Sequence, residues 1–102
     1  MPRVRAGRLD ALLPGRPVLL EVDGRRLALV RVGDTVHALD DACPHAGGPL
    51  SEGEVTGRTL ACPYHGWVWD LVTGACRAPG RGARVAAYPT RVDAGEVWVD
   101  LP

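Results

Sequence analysis

The chain has 102 residues, with twelve Arg and no Lys set against twelve Asp plus Glu, so its formal net charge is zero and it lacks the basic field of a nucleic-acid binder. That length is expected to make one domain, 1–102, whose core is marginal unless something further staples it. Within the first fourteen residues the only apolar run, Ala11-Leu12-Leu13, is too short for a signal core or a membrane span, so a soluble, cytoplasmic protein with reduced thiols is expected.

Val4 to Ala6 reads as an edge strand and Leu9 to Leu13 as about one helical turn, stopped by Pro14-Gly15. Pro17 to Val22 alternates, with Val18, Leu20 and Val22 on one face, which predicts a half-buried strand. Asp23-Gly24 is a two-residue hairpin signal, returning the chain through Arg25 to Val32, where Leu27 and Leu29 alternate against Ala28, Val30 and Val32. Gly33-Asp34 turns again into Thr35 to Leu39. A three-strand meander of this kind is a stiff base for the loop that follows it.

That loop, Ala42 to Leu50, contains Cys43-Pro44-His45. Glu54 to Ala61 predicts a short hairpin around Gly57-Arg58, and its second arm, Thr59-Leu60-Ala61, delivers Cys62-Pro63-Tyr64-His65. Trp67 to Asp70 leaves as a strand with both of its indoles on one face, Thr73-Gly74 turns it, and Ala78 to Gly82 has too much Gly and Pro for any period. A last hairpin pairs Arg84–Val92 with Glu96–Leu101 through Asp93-Ala94-Gly95, with Gly95 in the left-handed position of a bulged turn. Val97, Val99 and Leu101 should face the core. The predicted fold class is all-β, an antiparallel sandwich or barrel, with a small subdomain of ligand-bearing loops (approximately 40–82) inserted in the β base.

The candidate site is Cys43, His45, Cys62 and His65. The chain has three Cys and three His, and two of each fall in these two runs, sixteen residues apart. Proline stiffens each run, and Gly47-Gly48 and Gly66 allow close backbone approach after it. Thiolates with imidazoles suit zinc, copper, iron or an iron–sulfur cluster. Structural zinc sites favour a Cys-x2–4-Cys knuckle, whereas each loop here offers one Cys and one His.

This pattern, with Tyr64-His65-Gly66-Trp67, the Asp70-Leu71-Val72-Thr73-Gly74 turn and the ending Gly95-Glu96-Val97-Trp98-Val99, resembles the Rieske family and its small ferredoxins. The resemblance implies one Rieske-type [2Fe–2S] cluster, with Cys43 and Cys62 on the inner iron and His45 and His65 on the outer iron through Nδ1. It also implies a third, proline-containing loop over the cluster, a role that falls to Pro79. Two thiolates neutralise the +2 core of the oxidised cluster, where four would leave it at −2, so an electron is added more easily. High-potential relatives carry an extra cysteine in each loop, joined as a disulfide, and Ser and Tyr hydroxyl donors. The matching positions here are Gly48, Tyr64, Trp67 and Trp69, which predicts the low end of the Rieske range, on the order of −150 mV.

The same resemblance implies an electron carrier rather than an enzyme: a monomeric ferredoxin, docking transiently, that passes single electrons from an NAD(P)H-dependent flavoprotein reductase to a terminal oxygenase. Beyond the four ligands only His37 remains, too few for the two-His-one-carboxylate iron of an oxygenase, and there is no G-x-G-x-x-G fingerprint. The alternatives are the small subunit of an assimilatory nitrite reductase and, from another class, a zinc-stabilised interaction module. Five acids and no Arg between Val32 and Gly57 (Asp34, Asp40, Asp41, Glu52, Glu54) predict an acidic belt for basic partner surfaces. His37 reads as a partly exposed strand residue, Cys76 as a buried free thiol, and Trp67, Trp69 and Trp98 as packing residues, with Trp67 shielding the cluster.

Overall fold

The computed structural model describes residues 3–42, 48–64, 66–80 and 82–101. The chain begins with β1 (Arg3–Arg8), takes one 3-10 turn at Leu9–Ala11, and enters the expected meander of β2 (Val18–Val22), β3 (Arg25–Val32) and β4 (Thr35–Asp40). At the β2–β3 turn Asp23 and Gly24 have φ of 50° and 74°, the two left-handed residues a type I′ hairpin requires. Val22 then pairs directly with Arg25.

β3 and β4 form a wall between two cores. Leu27 to Val30 are all fully buried, because successive side chains point to opposite faces and both faces are covered. Ala28, Val30 and Leu39 pack with Leu50, Leu60 and Trp69 on one side. Leu27, Leu29, Val36 and Ala38 pack with Val97, Val99 and Leu101 on the other. Burying each of these Leu or Val side chains is worth roughly 1.5–3 kcal/mol.

The second layer is the sheet β5-β6-β7-β8, made from β5 (Glu54–Thr56), β6 (Thr59–Ala61), β7 (Val68–Asp70) and β8 (Cys76–Ala78). The third is β1-β11-β10, with β10 at Thr90–Asp93 and β11 at Glu96–Asp100, while β9 (Ala87–Tyr88) extends the meander beside β4. All named pairings are antiparallel. The Thr90 hydroxyl donates to the Val36 carbonyl and joins the third layer to the wall.

Three expectations change. The arm drawn over Arg84–Val92 is two strands in different sheets, parted at Pro89, which has no N–H for a ladder and whose carbonyl instead accepts the Asp100 N–H at 2.9 Å. The last turn is a two-residue one: Asp93 pairs with Glu96, and Ala94 and Gly95 have φ of 51° and 77°. β8 arises in a stretch where no strand was drawn, as the partner that completes the edge of β7. Among the described residues, no helix is long and apolar enough to cross a membrane.

Candidate metal centre

Each ligand run is closed at its neck by backbone hydrogen bonds. For the first, Ala42 bridges to Pro49, and Asp41 holds both strands of the neck. Its carbonyl accepts the Leu50 N–H at 2.6 Å, its carboxylate accepts the Ser51 N–H at 2.7 Å, and its own N–H donates to the Arg26 carbonyl at 2.9 Å. For the second, the Cys62 N–H donates to the Trp67 carbonyl at 2.7 Å. β6 thus runs directly into Cys62, which is 2% exposed and belongs to the core with Leu60 and Trp69. Cys43, His45 and His65, the other three candidate ligands, lie outside the described residues.

The two loops meet at Gly48 and Tyr64. A Cβ on residue 48 would stand 2.7 Å from Tyr64 Cδ2, a distance real Cβ atoms do not adopt, so only glycine lets the ring come this close. Pro79 follows a cis peptide bond from Ala78, and Ala78 pairs with Val68, the residue after Trp67. Pro79 therefore sits at the end of the β5–β8 sheet that bears the second loop. The rings of Trp67 and Trp69 are 6.2 Å apart and tilted by 36°. Trp69 is fully buried, and its Nε1–H lacks a hydrogen-bond partner among the described residues. A buried soft sulfur, a loop contact only glycine permits, and an indole donor with no acceptor among the described residues all suit a sulfur-bridged group held between the loops.

The acidic belt does not form. Asp34 lies in the turn after β3, whereas the ligand loop leaves the far end of β4, about 17 Å away at strand rise. Asp41 is 4% exposed and tied to Ser51, and Asp40 accepts the Tyr88 hydroxyl at 2.5 Å. Burial of the Tyr88 ring and this contact with Asp40 raise the phenol above its ordinary range, with Arg25 opposing. Only Glu52 and Glu54 remain exposed near the loop. Asp41 was thus misread as surface charge. Its position just before the loop, ten residues ahead of Ser51, was the available signal.

His37 is half-buried on β4, as expected. Burial and then Arg58 push its imidazole below the usual value, with Asp70 opposing. Asp70 accepts the N–H groups of Val72 and Thr73 at 2.8 and 3.0 Å and pairs with Arg77 at 2.7 Å. The Thr73 bond is the largest influence holding this carboxyl below its ordinary range, with Val72 and Arg77 adding to it and burial opposing. Cys76 is a free cysteine but only partly buried, because β8 is an edge strand.

The profile of the Rieske [2Fe–2S] domain matches residues 3–89. The chain is 30% identical over 98 residues to the ferredoxin component of the naphthalene 1,2-dioxygenase system of Pseudomonas putida, across 96% of this chain and 94% of that protein. The ferredoxin of carbazole 1,9a-dioxygenase from Nocardioides aromaticivorans IC177 has a TM-score of 0.91 and 37% identity, over 97% of each chain. A chain from the complex of reduced oxygenase and oxidised ferredoxin in carbazole 1,9a-dioxygenase gives a TM-score of 0.88 at 30% identity, over 95% of this chain and 91% of that one. A Mycobacterium tuberculosis protein described as an NADH-dependent nitrite reductase small subunit gives 0.88 at 33%, over 96% and 93%. With the layered all-β fold and a buried Cys62 at the neck of its loop, this match places the chain in the Rieske [2Fe–2S] domain family, whose cofactor is a single Rieske-type cluster.

Proposed function

We propose that this chain is a ferredoxin, a one-electron carrier, working in the cytoplasm as a monomer between an NAD(P)H-dependent flavoprotein reductase and a terminal oxygenase. The whole chain, 1–102, acts as one Rieske domain. Cys43 and Cys62 hold the inner iron and His45 and His65 the outer one. When bound, the [2Fe–2S] cluster takes up and returns one electron. The chain's own residues supply the rest: Asp41 and the Cys62–Trp67 bond fix the two necks, and the Gly48–Tyr64 contact locks the loops together. A fixed ligand cage costs little rearrangement on electron uptake.

The observation that carries the reading is the buried Cys62 beside that inter-loop contact, in a fold shared with ferredoxin components of dioxygenase systems. The nitrite reductase reading is kept because of the Mycobacterium tuberculosis relative. Reduced protein should give an EPR spectrum with the low average g of mixed Cys/His ligation. It should also support oxygenase turnover when mixed with a dioxygenase reductase and oxygenase pair. Turnover only with the large subunit of a nitrite reductase would favour the second reading. Purified protein with zinc but no iron or labile sulfide would end both.

A further inference from the structure

Trp69 is the largest fully buried side chain among the described residues, and its Nε1–H has no acceptor among them. A dry, unpaired N–H is destabilising, and buried tryptophans normally find a partner. Packing does not require one here, since Phe or Leu would fill apolar room without that cost. Every other buried residue of this core is Ala, Val or Leu, with one exception. The exception is Cys62.

The strand register sets the two side by side. Trp69 pairs with Leu60, and Cys62 lies two residues beyond Leu60 on the same face, its N–H bonded to the Trp67 carbonyl. Such diagonal neighbours are roughly 7–8 Å apart, within reach of an aromatic side chain. The donor thus belongs to the patch of core where the soft ligand enters.

We propose that Trp69 donates its Nε1–H to a cluster sulfur on the Cys62 side and so tunes the reduction equilibrium. This rests on the ligand assignment given under Proposed function. The N–H dipole turns its positive end toward the added electron, stabilising the reduced cluster more than the oxidised one. Trp69 stands at one of the two positions where high-potential relatives place a hydroxyl donor. Its indole retains a weaker version of that donor rather than abolishing it. Trp69 is a positioning and tuning residue, not a ligand.

The test uses the intact holo-ferredoxin, labelled with 15N only in its indole nitrogens and reduced with dithionite. Pulsed EPR should detect a 15N coupling to the cluster spin. Trp69→Phe should remove that coupling, and Trp98→Phe on β11 should leave it. In Trp69→Phe the equilibrium for reduction should fall about tenfold, ~59 mV more negative for a one-electron couple. The proposal is overturned by a wild-type spectrum with no 15N coupling, by a spectrum that Trp69→Phe does not alter, or by an unchanged midpoint at full cluster content. If Trp69→Phe cannot hold a cluster, Trp67→Phe decides instead: the coupling should survive it, and loss of the coupling in Trp67→Phe would overturn the proposal. Loss of the low-average-g signal itself would instead defeat the ligand assignment, a different result from a missing nitrogen coupling inside that signal.

Discussion

The ring of Tyr64 closes over Gly48 so tightly that residue 48 has no room for a single added carbon, which would lie 2.7 Å from Cδ2. These are the two positions that a disulfide joins in high-potential relatives. A ring against bare backbone does the same joining here without sulfur chemistry. Tyr64 as a whole is 52% exposed.

Gly48→Ala should therefore displace Tyr64 and loosen the loop contact, at a cost of about 1–3 kcal/mol. Cluster absorbance should bleach faster in air than in wild type. The double variant Gly48→Ala/Tyr64→Ala should lose less than the two single effects summed, and strict additivity in thermal unfolding would show that the two residues are not coupled.

Asp41 makes a sharper test of the first neck. Asp41→Ala removes the acceptor of the part-buried Ser51 N–H and should destabilise by about 1 kcal/mol. Asp41→Asn keeps a carbonyl oxygen for that N–H, and most of the stability should return. Equal melting temperatures for the two variants would mean that the carboxylate is not the clamp.

At the end of β7, in the β5-β6-β7-β8 sheet, Asp70 caps a turn with two N–H bonds and an ion pair. Its depressed folded pKa means that its stabilisation is present above the ordinary carboxyl value of 3.8 and is lost as pH falls through the folded value. Asp70→Ala should cost about 1–2 kcal/mol at pH 7, with the gap from wild type narrowing in acid. A gap that stays constant down to the acid transition would contradict this.

For His37 the sign follows from its lowered folded pKa: the unfolded chain binds the extra proton first. Its contribution is intact above the ordinary value of 6.5 and erodes as pH drops from there through the folded pKa. Oxidised wild-type protein should lose melting temperature between pH 7 and 5 more steeply than His37→Gln. Parallel curves would mean that the imidazole titrates freely.

Turns carried most of what the sequence revealed. Asp23-Gly24 named its own hairpin because few residue pairs tolerate two left-handed conformations. β8 was hidden because Ala75-Cys76-Arg77-Ala78 has no apolar alternation; it is a strand only because β7 offers it a ladder. Pro89 was legible as a ladder-breaker but was passed over inside an otherwise alternating run. The acids around the first loop misled because nearness in sequence was taken for nearness in space, when a strand carries Asp34 away and burial occupies Asp41. The Gly48–Tyr64 contact and the unpaired N–H of Trp69 are long-range facts that no local pattern encodes.

The double duty of β3 sets the order in which the molecule comes apart. Amides of Leu27 to Val30 can meet solvent deuterium only after both flanking layers have peeled off, so they should be the slowest in the chain to exchange. The first ligand loop is rooted on the same strand, one residue earlier, through the Arg26 carbonyl. Fraying of the outer β1-β11-β10 layer can therefore come and go while the electron-carrying end keeps its grip.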